Sequence, residues 1–100
     1  MRVAGASQYA VYLKPAAERA LKRVKDDTAR RRVVKAVDGL ATNPRPPGAV
    51  AIQGGDRLLR IRAGDYRILY TVDDDVLTVL VVTIGHRRNV YQRERASPVS

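Results

Sequence analysis

Three arginines carry the densest chemical signal in this chain. They sit in the run Leu58-Leu59-Arg60-Ile61-Arg62-Ala63-Gly64-Asp65-Tyr66-Arg67-Ile68-Leu69-Tyr70. Glycine at the first place of a two-residue turn permits a tight hairpin at Gly64-Asp65. That turn puts Arg62 opposite Arg67 and Ile61 opposite Ile68. Side chains alternate along a strand, so Arg60, Arg62 and Arg67 share one face while Leu59, Ile61, Ile68 and Tyr70 share the other. Like charges placed directly opposite one another are destabilising. A hairpin that gathers guanidinium groups in this way has an anion to bind, and nucleic acid is the commonest multivalent anion.

The composition agrees. The formal net charge is +9, from 19 Lys and Arg against 10 Asp and Glu, which favours a polyanionic partner, either nucleic acid or an acidic protein segment. One hundred residues suit one small domain. The five aromatic residues are all Tyr, so the core is one of Val, Leu, Ile and Ala. There is no cysteine, which excludes disulfides and thiolate metal sites and fits a reducing cytosol. No apolar run approaches membrane-spanning length, and residues 1–6 are too short for a signal peptide. A cytoplasmic protein is expected.

Elements must hold the arginines in place. Residues 9–13 alternate weakly and read as a first strand. Pro15 suits the first turn of a helix, and Ala17, Ala20, Leu21 and Val24 follow at helical spacing. Asp26-Asp27-Thr28 caps a second helix, whose apolar stripe is Val33, Val34, Val37 and Leu40. The loop Asn43-Pro44-Arg45-Pro46-Pro47-Gly48 ends it. The period then changes to two, with strands at 58–63, 66–72 and 76–84 and Asp73-Asp74-Asp75 as a turn. The last strand is apolar on both faces and reads as a central one covered on both sides. The fold class is α+β, a helical hairpin packed on a small, mainly antiparallel sheet. Residues 1–8 read as an N-terminal extension, 9–93 as the domain and 94–100 as a disordered tail.

The hairpin sequence with Gly-Asp-Tyr-Arg at its turn, an acidic turn, an aliphatic strand and then Gly85-His86-Arg87-Arg88-Asn89-Val90-Tyr91 together resemble the RelE toxins of bacterial toxin–antitoxin modules. The βααβββ order matches as well, and the likeness spans about residues 9–93. The related ParE toxins carry a similar turn, whereas the segment after Gly85 points to the RelE branch. The resemblance implies an mRNA interferase that enters the ribosomal A site and cleaves bound mRNA without a metal or other cofactor. The 2′-hydroxyl attacks the adjacent phosphorus, and a cognate antitoxin blocks the toxin. No membrane partner is implied. The family's functional positions fall at Arg60, Arg62, Arg67, Arg87 and Tyr91, with His86 beside them and Arg88 as a further RNA contact.

Such a cleavage needs in-line alignment, a base for the 2′-hydroxyl, charge neutralisation at phosphorus and help for the leaving 5′-oxygen. Arg62 and Arg67 suit the phosphate because a guanidinium fork matches two of its oxygens. Arg60 suits a flanking phosphate. Family members often carry Lys where this chain has Arg60 and Arg62. Arginine does not give up its proton, so the base falls to Tyr91 or His86. A tyrosine near several arginines ionises more easily, and histidine titrates near neutrality. Arg87 or His86 assists the leaving oxygen.

Each assignment has a plainer competitor. The arginines also fit a solvated sheet face, His86 a structural role at a strand end, and Tyr91 simple packing against the sheet. Tyr66 and Tyr70 fall on the core side. The three consecutive aspartates read as a solvated turn rather than a metal site, and Arg30-Arg31-Arg32 as a solvated helix face or an antitoxin contact. A ParE-like inhibitor of DNA gyrase without nuclease chemistry is the alternative function. A third is an RNA-binding toxin that no longer cleaves.

Overall fold

The computed structural model describes residues 8–52 and 58–86. Strand β1 (Ala10–Leu13) leads into helix α1 (Pro15–Arg23) and helix α2 (Asp27–Gly39). Strands β2 (Val50–Ala51), β3 (Leu58–Ala63), β4 (Tyr66–Asp73) and β5 (Thr78–His86) follow. The sheet order is β1-β5-β4-β3-β2, and only the β1–β5 pairing is parallel. This is the α+β arrangement of a helical hairpin on a mainly antiparallel sheet. The sequence-based expectation lacked β2, two exposed residues paired with β3.

Local chemistry sets the helix ends. Pro15 occupies the first position of α1, where its missing N–H costs nothing. The Asp26 carboxylate caps α2 by accepting from the Thr28 N–H at 3.0 Å. Arg30 Nη2 donates to the Val24 carbonyl at 2.6 Å, closing the end of α1 from the second helix.

Both helices lie on one face of the sheet. Ala17 from α1 and Val33, Val37 and Leu40 from the second half of the helical hairpin meet Ile61, Ile68, Tyr70, Val72, Val79, Val81 and Ile84 from the sheet. β5 is interior to the sheet, between β1 and β4, but its covering departs from expectation. Leu80 and Val82 are only half-buried, and among the described residues the helices pack on one face alone. A register irregularity of β5 against β4 at Leu69/Tyr70 leaves Val82 outside the pairing.

The turn between β4 and β5 also differs from its reading. β4 runs to Asp73, and β5 begins at Thr78 and continues to His86. Val76 and Leu77 therefore belong to the connection, where both are exposed, and Leu77 adopts a left-handed φ of 48°. The Asp73 carboxylate accepts from the Asp75 N–H at 3.0 Å, the local bond that makes aspartate a turn residue. Asp74 is more than a solvated acid. Its carboxylate accepts from the Tyr9 hydroxyl at 2.6 Å and from both terminal nitrogens of Arg45 at 2.9 and 3.2 Å. This latch ties the start of β1 to the 43–48 loop. The hydrogen bond to Asp74 is the main cause holding the Tyr9 phenol above its ordinary value.

Tyr70 anchors the same loop from inside. It is fully buried and donates its hydroxyl to the Pro44 carbonyl at 2.7 Å. Burial pushes its pKa from 10.0 up to about 12. Replacing it, Tyr70→Phe, strands a buried carbonyl and is expected to cost ~1–2 kcal/mol in urea unfolding. Its folded-state pKa is raised, so its contribution is complete below pH 10 and declines as pH rises from 10 towards 12. The variant is expected to lose that component of the alkaline decline in stability. An alkaline stability profile parallel to that of the wild type would refute this account.

Candidate nucleic-acid interface

The hairpin that carries the arginines forms with the predicted register. β3 pairs with β4 so that Arg62 faces Arg67, Ile61 faces Ile68, and Leu59 faces Tyr70. Only Gly64 and Asp65 lie between the two strands. Gly64 has φ +63°, while Asp65 keeps a negative φ. Positive φ at the first central residue alone is the signature of a type II′ turn, which matches the twist of its flanking strands.

Directly opposed residues point to the same side of a sheet, so the pairings define two rows on the face away from the helices. One row runs Val50, Arg60, Leu69, Thr83, and the next runs Arg62, Arg67, Gly85. Arg62 is exposed, and Arg60 and Arg67 are half-buried. Gly85 adds no side chain at the third place of its row. The result is a shallow basic surface bordered by Leu69 and Thr83.

α2 reaches the same hairpin from the other side. A Cβ built on Gly64 would stand 3.4 Å from Arg32 Nη1 and 3.7 Å from its Cδ. Arg32 therefore packs on the turn, whereas the sequence reading left it on a solvated face or an antitoxin contact. That contact brings a fourth guanidinium to the tip of the hairpin.

His86 requires a correction. The sequence reading set it beside the arginines, but it pairs with Tyr66 while Gly85 pairs with Arg67. The period of two thus sends the histidine to the helix side of the sheet. There its ring meets Tyr66 edge-on, with centroids 5.6 Å apart. Both line a cavity of about 370 Å³ together with Arg19 and Arg23 of α1. Tyr66 and Tyr70 lie on the core side, as expected. Arg87, Arg88 and Tyr91 fall outside the described residues.

The described part of this surface supplies cations and no base. Its arginines can neutralise and align a phosphodiester but cannot accept a proton at neutral pH. Among the described residues, no group of three or more His, Cys, Asp or Glu is placed to hold a metal ion.

Comparisons with known proteins give this arrangement a family. The model for the ParE toxin of the type II toxin–antitoxin system parDE matches residues 11–91. Toxin RelG of Mycobacterium tuberculosis is 44% identical over 32 residues, which is 32% of this chain and 37% of that relative. The archaeal RelE–RelB complex from Pyrococcus horikoshii superposes with a TM-score of 0.70 at 25% identity, covering 80% of this chain and 96% of that one. The toxin–antitoxin complex RelBE2 of Mycobacterium tuberculosis gives 0.70 at 26%, covering 81% and 93%. The family model carries the ParE name and the structural neighbours the RelE name, and the superfamily is what they share. A match over most of the sequence and a hairpin on a helix-backed sheet lead to one assignment: the chain belongs to the ParE toxin family of type II toxin–antitoxin systems, within the RelE/ParE superfamily.

Proposed function

We propose that this toxin is a ribosome-dependent mRNA endonuclease that cuts without a metal and is neutralised by a cognate antitoxin. The single observation that carries the reading is the direct opposition of Arg62 and Arg67 on a sheet face that the helices leave open. A fold tolerates like charges at such a pair when a multivalent anion sits between them.

In this reading the mRNA in the ribosomal A site lies along the two basic rows. Arg62 and Arg67 hold the non-bridging oxygens of the scissile phosphate, and their charge stabilises the phosphorane as it forms. Arg60, one row away, holds a flanking phosphate. The 2′-oxygen bonds to phosphorus as the bond from phosphorus to the 5′-oxygen breaks, leaving a cyclic 2′,3′-phosphate and a 5′-hydroxyl. The proton leaving the 2′-hydroxyl goes to Tyr91, the remaining candidate base now that His86 faces the helices. Arg87 hydrogen-bonds the departing oxygen, which takes a proton from solvent water to become the hydroxyl, and Arg88 adds an RNA contact. These last three roles rest on the resemblance to the RelE toxins. The RelE–RelB and RelBE2 complexes support an antitoxin as the partner of this chain too.

The family model favours a second reading, a ParE-like gyrase inhibitor without nuclease chemistry. Expression of the toxin in cells separates the two. Cut mRNA on ribosomes is the expected result, whereas gyrase cleavage complexes accumulating with intact mRNA would establish the rival. On purified ribosomes programmed with a defined mRNA, Arg67→Ala is expected to slow cleavage about 100-fold, equivalent to ~2.7 kcal/mol of lost transition-state stabilisation. Tyr91→Phe is expected to slow the chemical step while leaving ribosome binding intact. Wild-type rates for Arg67→Ala would remove the phosphate-gripping role, and wild-type rates for Tyr91→Phe would remove the base.

A further inference from the structure

We propose that the groove between α2 and the 46–48 bend is a nucleotide subsite, holding an RNA residue that flanks the scissile linkage of the same strand. The inference rests on the nuclease reading and extends it to a substrate-selecting site.

The groove opens because β2 begins only at Val50. It pairs Val50 with Arg60 and Ala51 with Leu59, and before Val50 the chain turns through 46–49, where the Ala49 N–H donates to the Pro46 carbonyl at 3.0 Å. Beyond Arg60, a cavity of about 390 Å³ opens along β3, lined by Lys35, Ala36, Pro46, Pro47, Ile61 and Arg62 among others. That volume falls within the ~300–1,000 Å³ of small-ligand sites.

Its lining has two kinds of chemistry. Ala36, Ile61 and the two proline rings make an apolar floor suited to the face of a base, while Lys35 and Arg62 bring positive charge. Among the described residues, no acidic side chain lines it. A nucleotide asks for both at once, a dry surface for the base and a cation for its phosphate. Gly48, at the bend beside the cavity, has φ +92°, a left-handed backbone that glycine adopts without strain.

Continuity with the basic face selects the occupant. Arg62 lines the groove and also opposes Arg67, so one residue borders both sites. Arg32 and Lys35 are three residues apart on α2 and therefore neighbours along the helix surface. Arg32 reaches the hairpin turn and Lys35 reaches the groove. A strand gripped at the Arg62–Arg67 pair thus finds its next cation on α2 rather than in open solvent.

Two measurements test this. In the first, a fluorescein-labelled single-stranded RNA tetramer, deoxy at the 2′ position that would attack, is titrated into the intact toxin over a salt series. Lys35→Ala is expected to weaken binding about fivefold and to lower the slope of log K against log salt by ~0.7, the share of one phosphate contact on a single strand. Arg19→Ala, in the cavity on the helix side, is expected to leave binding unchanged. In the second, ribosomes carrying a pool of mRNAs are treated with wild type, Lys35→Ala and Arg67→Ala. Lys35→Ala is expected to keep cutting while losing base preference at one flanking position, whereas Arg67→Ala slows cutting about 100-fold at every site.

Wild-type binding, salt slope and cut-site pattern in Lys35→Ala would overturn the subsite and leave the nuclease reading standing. Absence of cleavage by the wild type would instead remove the nuclease reading. If Lys35→Ala leaves RNA binding intact but weakens neutralisation by the antitoxin, the groove is a protein-docking site and the proposal is wrong.

Discussion

The register of β3 against β4 is the constraint from which the rest follows. Ile61 and Ile68 face each other inside the core, so Arg62 and Arg67 must face each other outside it. Burying two isoleucine side chains stabilises the sheet by ~3–6 kcal/mol. Two charges about 4 Å apart repel by ~1 kcal/mol when water surrounds them. Packing therefore wins, and the repulsion persists as a feature of the folded state. A slip of one residue would carry the arginines into the apolar layer, at several kcal/mol per ion. The hairpin therefore cannot separate Arg62 from Arg67 by sliding.

The sheet divides the molecule's tasks by side. The helix side holds the buried cluster, the hydroxyl of Tyr70 bound to the 43–48 loop, and the edge-on Tyr66–His86 pair. The other side holds the rows of Arg60, Arg62 and Arg67, with Leu69 and Thr83 beside them. Strand periodicity enforces the division: every second residue belongs to one layer and none to both. His86 shows how strict the rule is. It follows Gly85 in sequence, and that single step moves it from the arginine side to the tyrosine side.

Much of this was legible in the sequence because the signals were local. Gly64-Asp65 marked the turn, the alternation of Leu59, Arg60, Ile61 and Arg62 marked the faces, and Pro15 and Asp26 marked the helix starts. What escaped was non-local or too short to show a period. β2 has two residues, both exposed, and its existence depends on pairing with β3. The Asp74 latch joins Tyr9 and Arg45 across 65 and 29 positions, distances over which no sequence pattern reports a contact. Val76 and Leu77 are apolar and read as strand, yet the turn chemistry of Asp73 and a left-handed Leu77 place them in the connection. The side of the sheet on which His86 lies needed the observed strand end before its parity could be counted.

Arginine rather than lysine at positions 60 and 62 sharpens the division of labour within the basic face. A lysine pressed against a second cation can shed its proton and with it the repulsion. A guanidinium keeps its charge, so this chain holds a fixed field over its open face at every pH at which it is folded. Under the nuclease reading, such a field suits the alignment and neutralisation of a phosphodiester, because donors that need not reorganise act most strongly on a developing charge. The same permanence shuts these residues out of proton transfer. Fixed charge thus resides on the hairpin, and any proton transfer asked of this chain falls to a residue elsewhere in it. Under the nuclease reading, a partner that shields the hairpin alone would silence cleavage, because a base without an aligned, neutralised phosphate has nothing on which to act.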